Sequence, residues 1–269
     1  MSETPRVLTR SDLAADLRRL GLAEGDAVMV HAAFGRVGPV LGGPDALVDA
    51  MLDVIGPQGT VLGYQDWELS VDVWDDDGRV VEGLREHVPP FDPATARPAR
   101  DHGVLASVIG TRQGVRRSGN PGASVAAVGA RAEEFTADHP LDYGYGEGSP
   151  FARLVAAGGR VLMVGAPLDT MTILHHAEHL AVLPGKRRIR VEYPFATPEG
   201  TRWRTVEEFD TSRPVVPGPA EDYFGQIVED HLATGAGRRG RIGDADSVLV
   251  EAAAVVAFAV AWLESRYGR

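Results

Sequence analysis

The 269-residue sequence predicts an α/β fold: a single compact layered domain, residues 1–269, in which a central mixed sheet is flanked by helices. Three observations point there. Short apolar runs that suit strands covered on both faces alternate with segments of helical period, and glycines and prolines fall between them. A composition of 44% hydrophobic and 24% charged residues is that of a globular chain able to bury one large core.

The first units read helix, strand, helix, strand. Ser11-Asp12 opens a helix to Leu20 that Gly21 stops, and Ala27–His31 is an apolar strand. Pro44–Ile55 is a second helix, with Asp45 in its first turn to complement the dipole and Gly56-Pro57 behind it, and Thr60–Tyr64 is the next strand. From Gln65 to His102 the periodicity dissolves into acids, prolines and isolated aromatics. Tyr64, Trp67, Trp74 and Phe91 need a surface to pack on, so this stretch reads as an ordered functional insertion.

Beyond it come a helix over Gly103–Ile109, a strand over Ser124–Val128, helices over Arg131–Phe135 and Ser149–Ala157, and a strand over Arg160–Gly165. A histidine-bearing helix then reaches Leu183. Arg188–Tyr193 and Arg202–Phe209 flank Thr197-Pro198-Glu199-Gly200 as a hairpin. The last helices are Tyr223–Ala233 and Ser247–Tyr267, the latter with an apolar run, Ala252–Ala261, that packs. Gly235-Ala236-Gly237-Arg238-Arg239-Gly240 satisfies G-x-G-x-x-G but follows a helix where the dinucleotide fingerprint follows a strand, so it reads as a loop.

Bulk properties exclude several classes. No apolar run approaches the roughly 18 residues of a membrane span. Met1-Ser2-Glu3-Thr4-Pro5-Arg6 has no apolar signal core, which predicts a cytoplasmic protein. The absence of cysteine removes disulfides, thiolate metal sites and a cysteine nucleophile. The net charge of -11 is concentrated: Asp66, Glu68, Asp72, Asp75, Asp76, Asp77, Glu82, Glu86 and Asp92 face only Arg79 and Arg85, so this stretch carries seven of the eleven surplus negative charges. Such a surface disfavours nucleic acid and suits a cationic ligand, or serves solubility alone.

Chemistry concentrates after the strand Val161-Leu162-Met163-Val164, where three of eight histidines fall within five residues. At about 100° per residue, Ile173, Leu174, Ala177, Leu180 and Ala181 share one arc and Thr172, His175, His176, Glu178 and His179 the other. His175 lies three and four residues from Glu178 and His179, whereas His176 points away from Glu178 toward the apolar side. His175 is therefore the imidazole best placed to pair with a carboxylate. The same residues spell H-x-x-E-H, which admits a zinc-dependent hydrolase built on His175, Glu178 and His179, or a solvated polar face. His31-Ala32-Ala33-Phe34-Gly35-Arg36-Val37-Gly38, at a strand end, and the turn Arg116–Ser124 are candidate phosphate or cofactor loops.

The chain resembles the aminoglycoside 3-N-acetyltransferases of the antibiotic N-acetyltransferase family, in particular the gentamicin-type subgroup. Val30-His31 with Phe34, Gly56-Pro57-Gln58-Gly59-Thr60, Arg117–Ser124, Asp138–Pro150 and Asp169–Glu178 carry the likeness, nearly end to end. Many relatives have His-Ser-Ser where this chain has His31-Ala32-Ala33, and Asn-Thr where it has Met171-Thr172. The resemblance implies a fold distinct from GCN5-type acetyltransferases, acetyl-coenzyme A as cosubstrate with no metal, and acetylation of the 3-amino group of 2-deoxystreptamine, conferring resistance. It aligns the family's histidine and glutamate with His175 and Glu178.

On that reading His175 is the general base, Glu178 or Asp169 orients its ring, and Thr172 helps to hold the oxyanion. Coenzyme A would meet His31, Ala32, Ala33, Phe34, Gly35, Val37, Arg117, Ser118 and Ser124. The ammonium groups of the drug would meet Tyr64, Asp66, Trp67, Glu82, Asp142, Asp169 and Glu208, with the acidic insertion at 65–102 facing the substrate. Monomer and homodimer both stay open.

Overall fold

The computed structural model describes residues 6–67, 69 and 71–268; Glu68 of the acidic stretch and residues 1–5 lie outside them. In chain order the elements are α1 (Arg10–Leu20), β1 (Ala27–Ala32), α2 (Gly43–Ile55), β2 (Thr60–Tyr64), α3 (Gly103–Gly110), β3 (Arg116–Arg117), β4 (Val125–Gly129), α4 (Ala132–Thr136), α5 (Pro150–Ala156), β5 (Arg160–Val164), α6 (Leu174–Leu180), β6 (Arg188–Thr197), β7 (Gly200–Phe209), α7 (Tyr223–Ala233), β8 (Arg238–Ile242), β9 (Ala245–Glu251) and α8 (Ala252–Tyr267).

Seven strands form one sheet in the order β3-β4-β2-β1-β5-β9-β8, and β6-β7 stand apart as a two-stranded arm. The central strands β2, β1 and β5 are parallel, while β4, β9 and β8 join antiparallel. Strand period two divides the interior. Val28, Val30, Val61, Leu162 and Val164 face α1, α2 and α3, whereas Met29, Leu62, Val161 and Met163 face the helices α4 to α8. Each fully buried aliphatic side chain of this kind contributes about 1.5–3 kcal/mol, so two such faces hold the central strands and the loops at their ends.

Local chemistry sets the ends. Thr9, not Ser11, caps α1: its hydroxyl accepts from the Asp12 backbone, the Asp12 carboxylate accepts from the Thr9 N–H at 2.9 Å, and Gly21 closes the helix in the left-handed conformation at φ 112°. Two segments differ from the sequence reading. Residues 247–251 form part of β9, not the start of the last helix, because Ser247 to Val250 are buried between β5 and β8 and pair with β5; the helix begins at the alanines of Ala252 onward. The glycine-rich run near 235–240 is a loop only to Gly237. Arg238–Ile242 is an edge strand whose three arginines keep it from pairing with another chain.

The insertion between β2 and α3 has almost no regular structure, yet it is anchored. Trp74 Nε1 donates to Glu192 O at 2.7 Å, Arg85 pairs with Glu192 at 2.7 Å, and the Phe91 backbone exchanges bonds with Pro194 O and Ala196 N at 2.7 and 2.9 Å. Gly78, at φ 71°, runs so close to the Arg190 carbonyl that a Cβ would collide with it. The insertion is thereby strapped onto the β6-β7 arm, and among the described residues no helix is long and apolar enough to cross a membrane.

Candidate active site

The C-terminal ends of β1, β2 and β5 open onto a cleft of about 730 Å³. Ligand sites form there in open α/β sheets because the loops leave the strands with their backbone groups unpaired. Gly165, at φ 62°, turns the chain at the end of β5, and Asp169 and Thr172 follow on the cleft wall. His175, in the first turn of α6, faces the same space.

His175 is bound on one side only. Its Nδ1 lies 2.6 Å from Oε2 of Glu178. Glu178 is 2% exposed, and its other oxygen, Oε1, accepts from the Tyr223 hydroxyl on α7. A buried carboxylate facing an imidazole nitrogen fixes Nδ1 as the protonated one, so Nε2 carries the lone pair toward the cleft. The ring rests between Tyr145 (centroids 5.0 Å) and Phe224 (4.8 Å). Of the two carboxylates that sequence left open, Glu178 holds the ring; Asp169 lines the cleft and is free to meet a ligand cation.

The two other histidines of α6 have separate work. His176 is 4% exposed and donates from Nδ1 to the Tyr145 carbonyl at 2.7 Å, and this burial lowers its pKa. His179 pairs with Glu208 at 2.8 Å, on the side facing the β6-β7 arm. Leu180, placed by helical period on the packed arc, is 51% exposed, because α6 ends there and Ala181 turns back into the core. His175 and His179 thus face different carboxylates, and the described residues contain no group of three or more His, Cys, Asp or Glu placed to hold a metal ion.

The cleft wall also carries His31 and Ala32 of β1 and Ala33 just after it, with Tyr64, Asp66 and His102. Burial, then the neighbouring His102, pushes His31 down to about 4, so its imidazole is neutral, and its Nε2 is a buried polar atom without a hydrogen-bond partner. Such an orphan beside a cleft fits a polar ligand arm, the kind of contact the pantetheine amides of a coenzyme would make. His102 Nε2 binds Asp66, and Tyr64 stacks edge-on to His102 at 4.7 Å. The hydroxyls of Tyr64 and Tyr145 lie 2.5 Å apart and share the Gly122 carbonyl; burial, first of all, raises both phenols well above their ordinary value. Asp66, Asp101 and Asp169 give the cleft a carboxylate lining.

Several expected site residues lie elsewhere. Val37 is fully buried in the core and its backbone is spent on Phe34 and Asp244, and Phe34 and Gly35 belong to the short 3-10 turn beside the cleft and do not line it. Arg117, Ser118 and Ser124 are structural. The Arg117 guanidinium binds the carbonyls of Ala96 and Gln65 and the Ser124 hydroxyl, and burial lowers it to about 10. Ser118 and Ser124 are fully buried. His139 donates from Nε2 to Gly144 O at 2.6 Å, which makes Nδ1 the acceptor for the Ser118 hydroxyl at 2.8 Å. The Arg117–Ser124 and Asp138–Pro150 motifs therefore knit to each other and to the insertion, and the polar groups of these three side chains serve that framework.

On the substrate side, Trp67 packs on Phe91 (5.6 Å) over a neighbouring groove, and Glu82 stands exposed on the outer face of the insertion. Asp142 is occupied by the Glu207 N–H at 2.8 Å. Glu208 lines a side pocket of about 60 Å³ that shares Tyr145 and Thr211 with the cleft. Sequence reasoning missed His102, Tyr145, Phe224 and Tyr223. His102 and Tyr145 are isolated aromatic rings brought in by distant loops; Tyr223 and Phe224 open a helix whose apolar face is the local signal.

A buried carboxylate aligning an imidazole, in a carboxylate-lined cleft at the ends of parallel strands, is the kind of site that enzymes of the α/β class carry. Comparison with known proteins gives that class its family: residues 29–264 match the family model described as aminoglycoside 3-N-acetyltransferase, and the chain belongs to this family of acyltransferases. Aminoglycoside N(3)-acetyltransferase III of Pseudomonas aeruginosa is 46% identical over 97% of this chain and 95% of its own, and aminoglycoside N(3)-acetyltransferase VII of Streptomyces paromomycinus is 42% identical over 97% and 93%. Among solved structures, AAC-IIIb in binary complex with CoASH superposes with a TM-score of 0.96 at 64% identity over 98% of each chain. AAC-VIa bound to sisomicin gives 0.91 at 34% identity over 99% and 100%. The fold is accordingly that of the aminoglycoside acetyltransferases and not the GCN5 type.

Proposed function

We propose that this chain transfers the acetyl group of acetyl-coenzyme A directly to the 3-amino group of the 2-deoxystreptamine ring of aminoglycosides, conferring resistance, with His175 as general base. The observation that carries the reading is the Nδ1 bond of His175 to buried Glu178, which leaves Nε2 as the one basic nitrogen of the pair facing the cleft. The relatives' names supply the substrate class, and the solved relative holding CoASH supplies the cosubstrate.

An ammonium nitrogen has no lone pair, so the acceptor amine enters the reaction only after losing a proton. That first proton goes to solvent; His175 Nε2 takes a second one, from the neutral amine, as nitrogen attacks the thioester carbon, the N–C bond forms, the C–S bond breaks, and this second proton passes to the departing sulfur. General base catalysis of this kind is worth about 10² to 10⁴ in rate. Glu178 stabilises the imidazolium as it forms. Thr172, whose hydroxyl makes only a long 3.4 Å bond to Thr170 O, is positioned on the cleft wall to turn toward the oxyanion. Asp66, Asp101 and Asp169 receive the remaining ammonium groups; at about 4 Å each such pair gains roughly 1 kcal/mol in water and about 4 in a partly shielded cleft.

The test is thiol release from acetyl-coenzyme A with and without gentamicin, followed by the site of acetylation in the product. The reading predicts release only with the drug and modification at the 3-amino nitrogen. Drug-independent release, or no release at all, contradicts it.

A further inference from the structure

We propose that Tyr223 is a positioning residue for the acyl transfer: its hydroxyl, donated to Oε1 of Glu178, pins the carboxylate whose other oxygen aligns His175. This rests on the reading of His175 as the base. Glu178 is almost wholly buried, so water cannot satisfy it, and each carboxylate oxygen has one protein donor, Tyr223 on Oε1 and His175 on Oε2. Without the phenol, Oε1 would be a buried charged acceptor with nothing to hold its plane. The carboxylate could then rotate about its last torsion and take the imidazole with it.

Helix α7 fixes both members of the pair. Its neighbouring Phe224 lies 4.8 Å from the His175 ring and 4.7 Å from that of Tyr223. Gly225, next along, packs beside the backbone of Asp169 on the cleft loop. One helix thus sets the base, its carboxylate and the cleft loop together. Burial, and after it the charge of Glu178, raises the Tyr223 phenol far above its ordinary value, which keeps it a donor throughout the working range. Glu178 is faced by His175 on α6, Tyr223 on α7 and, from the approach to β6, Lys186, while Arg187 acts on Tyr223. His175 is faced by Glu178, by Tyr145 and, across the cleft, by Asp169, Asp66 and His102.

The experiment compares wild type, Tyr223→Phe, His175→Gln and the double variant by thiol release with acetyl-coenzyme A and gentamicin across pH. Losing one hydrogen bond to a charged group predicts a fall in kcat of about 10- to 100-fold for Tyr223→Phe, with both KM values held within about twofold. The unshared carboxylate charge favours the imidazolium, so the acid limb of the kcat profile moves to higher pH. Tyr223→Phe adds no further loss in the His175→Gln background. The Nδ1 proton resonance of His175 in the folded variant reads the same alignment without turnover and shifts on loss of the phenol. Wild-type kcat, an unmoved acid limb or an unchanged resonance in Tyr223→Phe overturns the positioning role, as does an additive loss in the double variant. Full turnover by His175→Gln alone removes the base, a failure recognisable without reference to Tyr223.

Discussion

Replacing Glu178 by Gln changes one oxygen into an amide and leaves the packing volume almost untouched. Both carboxylate oxygens accept, from the Tyr223 hydroxyl and from His175 Nδ1, whereas a glutamine amide has one accepting oxygen and one NH₂. One of the two donors must lose its partner, or His175 must change tautomer and turn its proton toward the substrate. The charge is lost as well. An imidazolium and a carboxylate about 4 Å apart at an effective dielectric of 20 attract by roughly 4 kcal/mol, part of which the neutral ring already gains in its ground-state hydrogen bond. A loss of about 2–4 kcal/mol in the transition state corresponds to about 30- to 1000-fold in kcat. The matching change in a serine protease triad, aspartate to asparagine, costs about 10⁴ by the tautomer effect, so the upper part of the range is expected. Steady-state thiol release at saturating acetyl-coenzyme A and gentamicin measures it, with KM values separating binding from chemistry. A Glu178→Gln enzyme within about threefold of wild type in kcat refutes the argument that this carboxylate aligns and stabilises the base.

Asp66→Asn is expected to raise the aminoglycoside KM about tenfold while leaving that for acetyl-coenzyme A in place, by loss of one ion pair in the cleft; an unchanged KM removes Asp66 from the drug site. The dissociation constant for the drug, measured by calorimetry, should weaken as salt rises from about 50 to 500 mM because exposed charge pairs are screened, and a flat response contradicts the carboxylate lining. His176→Ala strands the Tyr145 carbonyl, so a stability loss of about 1–3 kcal/mol is expected, seen as a lower Tm with kcat changed far less than in His175→Ala. Burial holds His139 at about 4, below its unfolded value, so the unfolded chain binds the extra proton and stability falls as pH drops from about 6.5 toward 4. Thermal melts over that window should be flatter in His139→Gln, and an identical slope would show that this histidine does not contribute.

Much of the frame was legible in the chain. Strands β1, β2 and β5 are short apolar runs bounded by glycine, and burial on both faces leaves little else for such segments to be. What misled was where local pattern and tertiary pairing part company. Ser247–Glu251 joins an alanine-rich helix in sequence, and only its partner β5 makes it a strand. Arg238–Ile242 is an edge strand held from one side, with too many arginines to look like one.

At the site, helical spacing separated His175 from His176, because both chemistry and packing there are set within one turn of helix. The choice between Glu178 and Asp169 needed coordinates, as did Tyr223, since a donor 45 residues away leaves no mark in local pattern. Arg117, Ser118 and Ser124 show the reverse error. A dense basic and hydroxyl-bearing turn resembles an anion site, yet burial turned those groups inward to satisfy the carbonyls of Gln65 and Ala96 and the ring of His139.

The most direct test of the account is coenzyme A thiol release by His175→Ala at saturating acetyl-coenzyme A and gentamicin, with coenzyme A binding measured on the same preparation. Turnover should fall by about 10² to 10⁴ while coenzyme A binding stays near that of wild type. A variant that binds coenzyme A and acetylates gentamicin at the wild-type rate contradicts the assignment of His175 as the base.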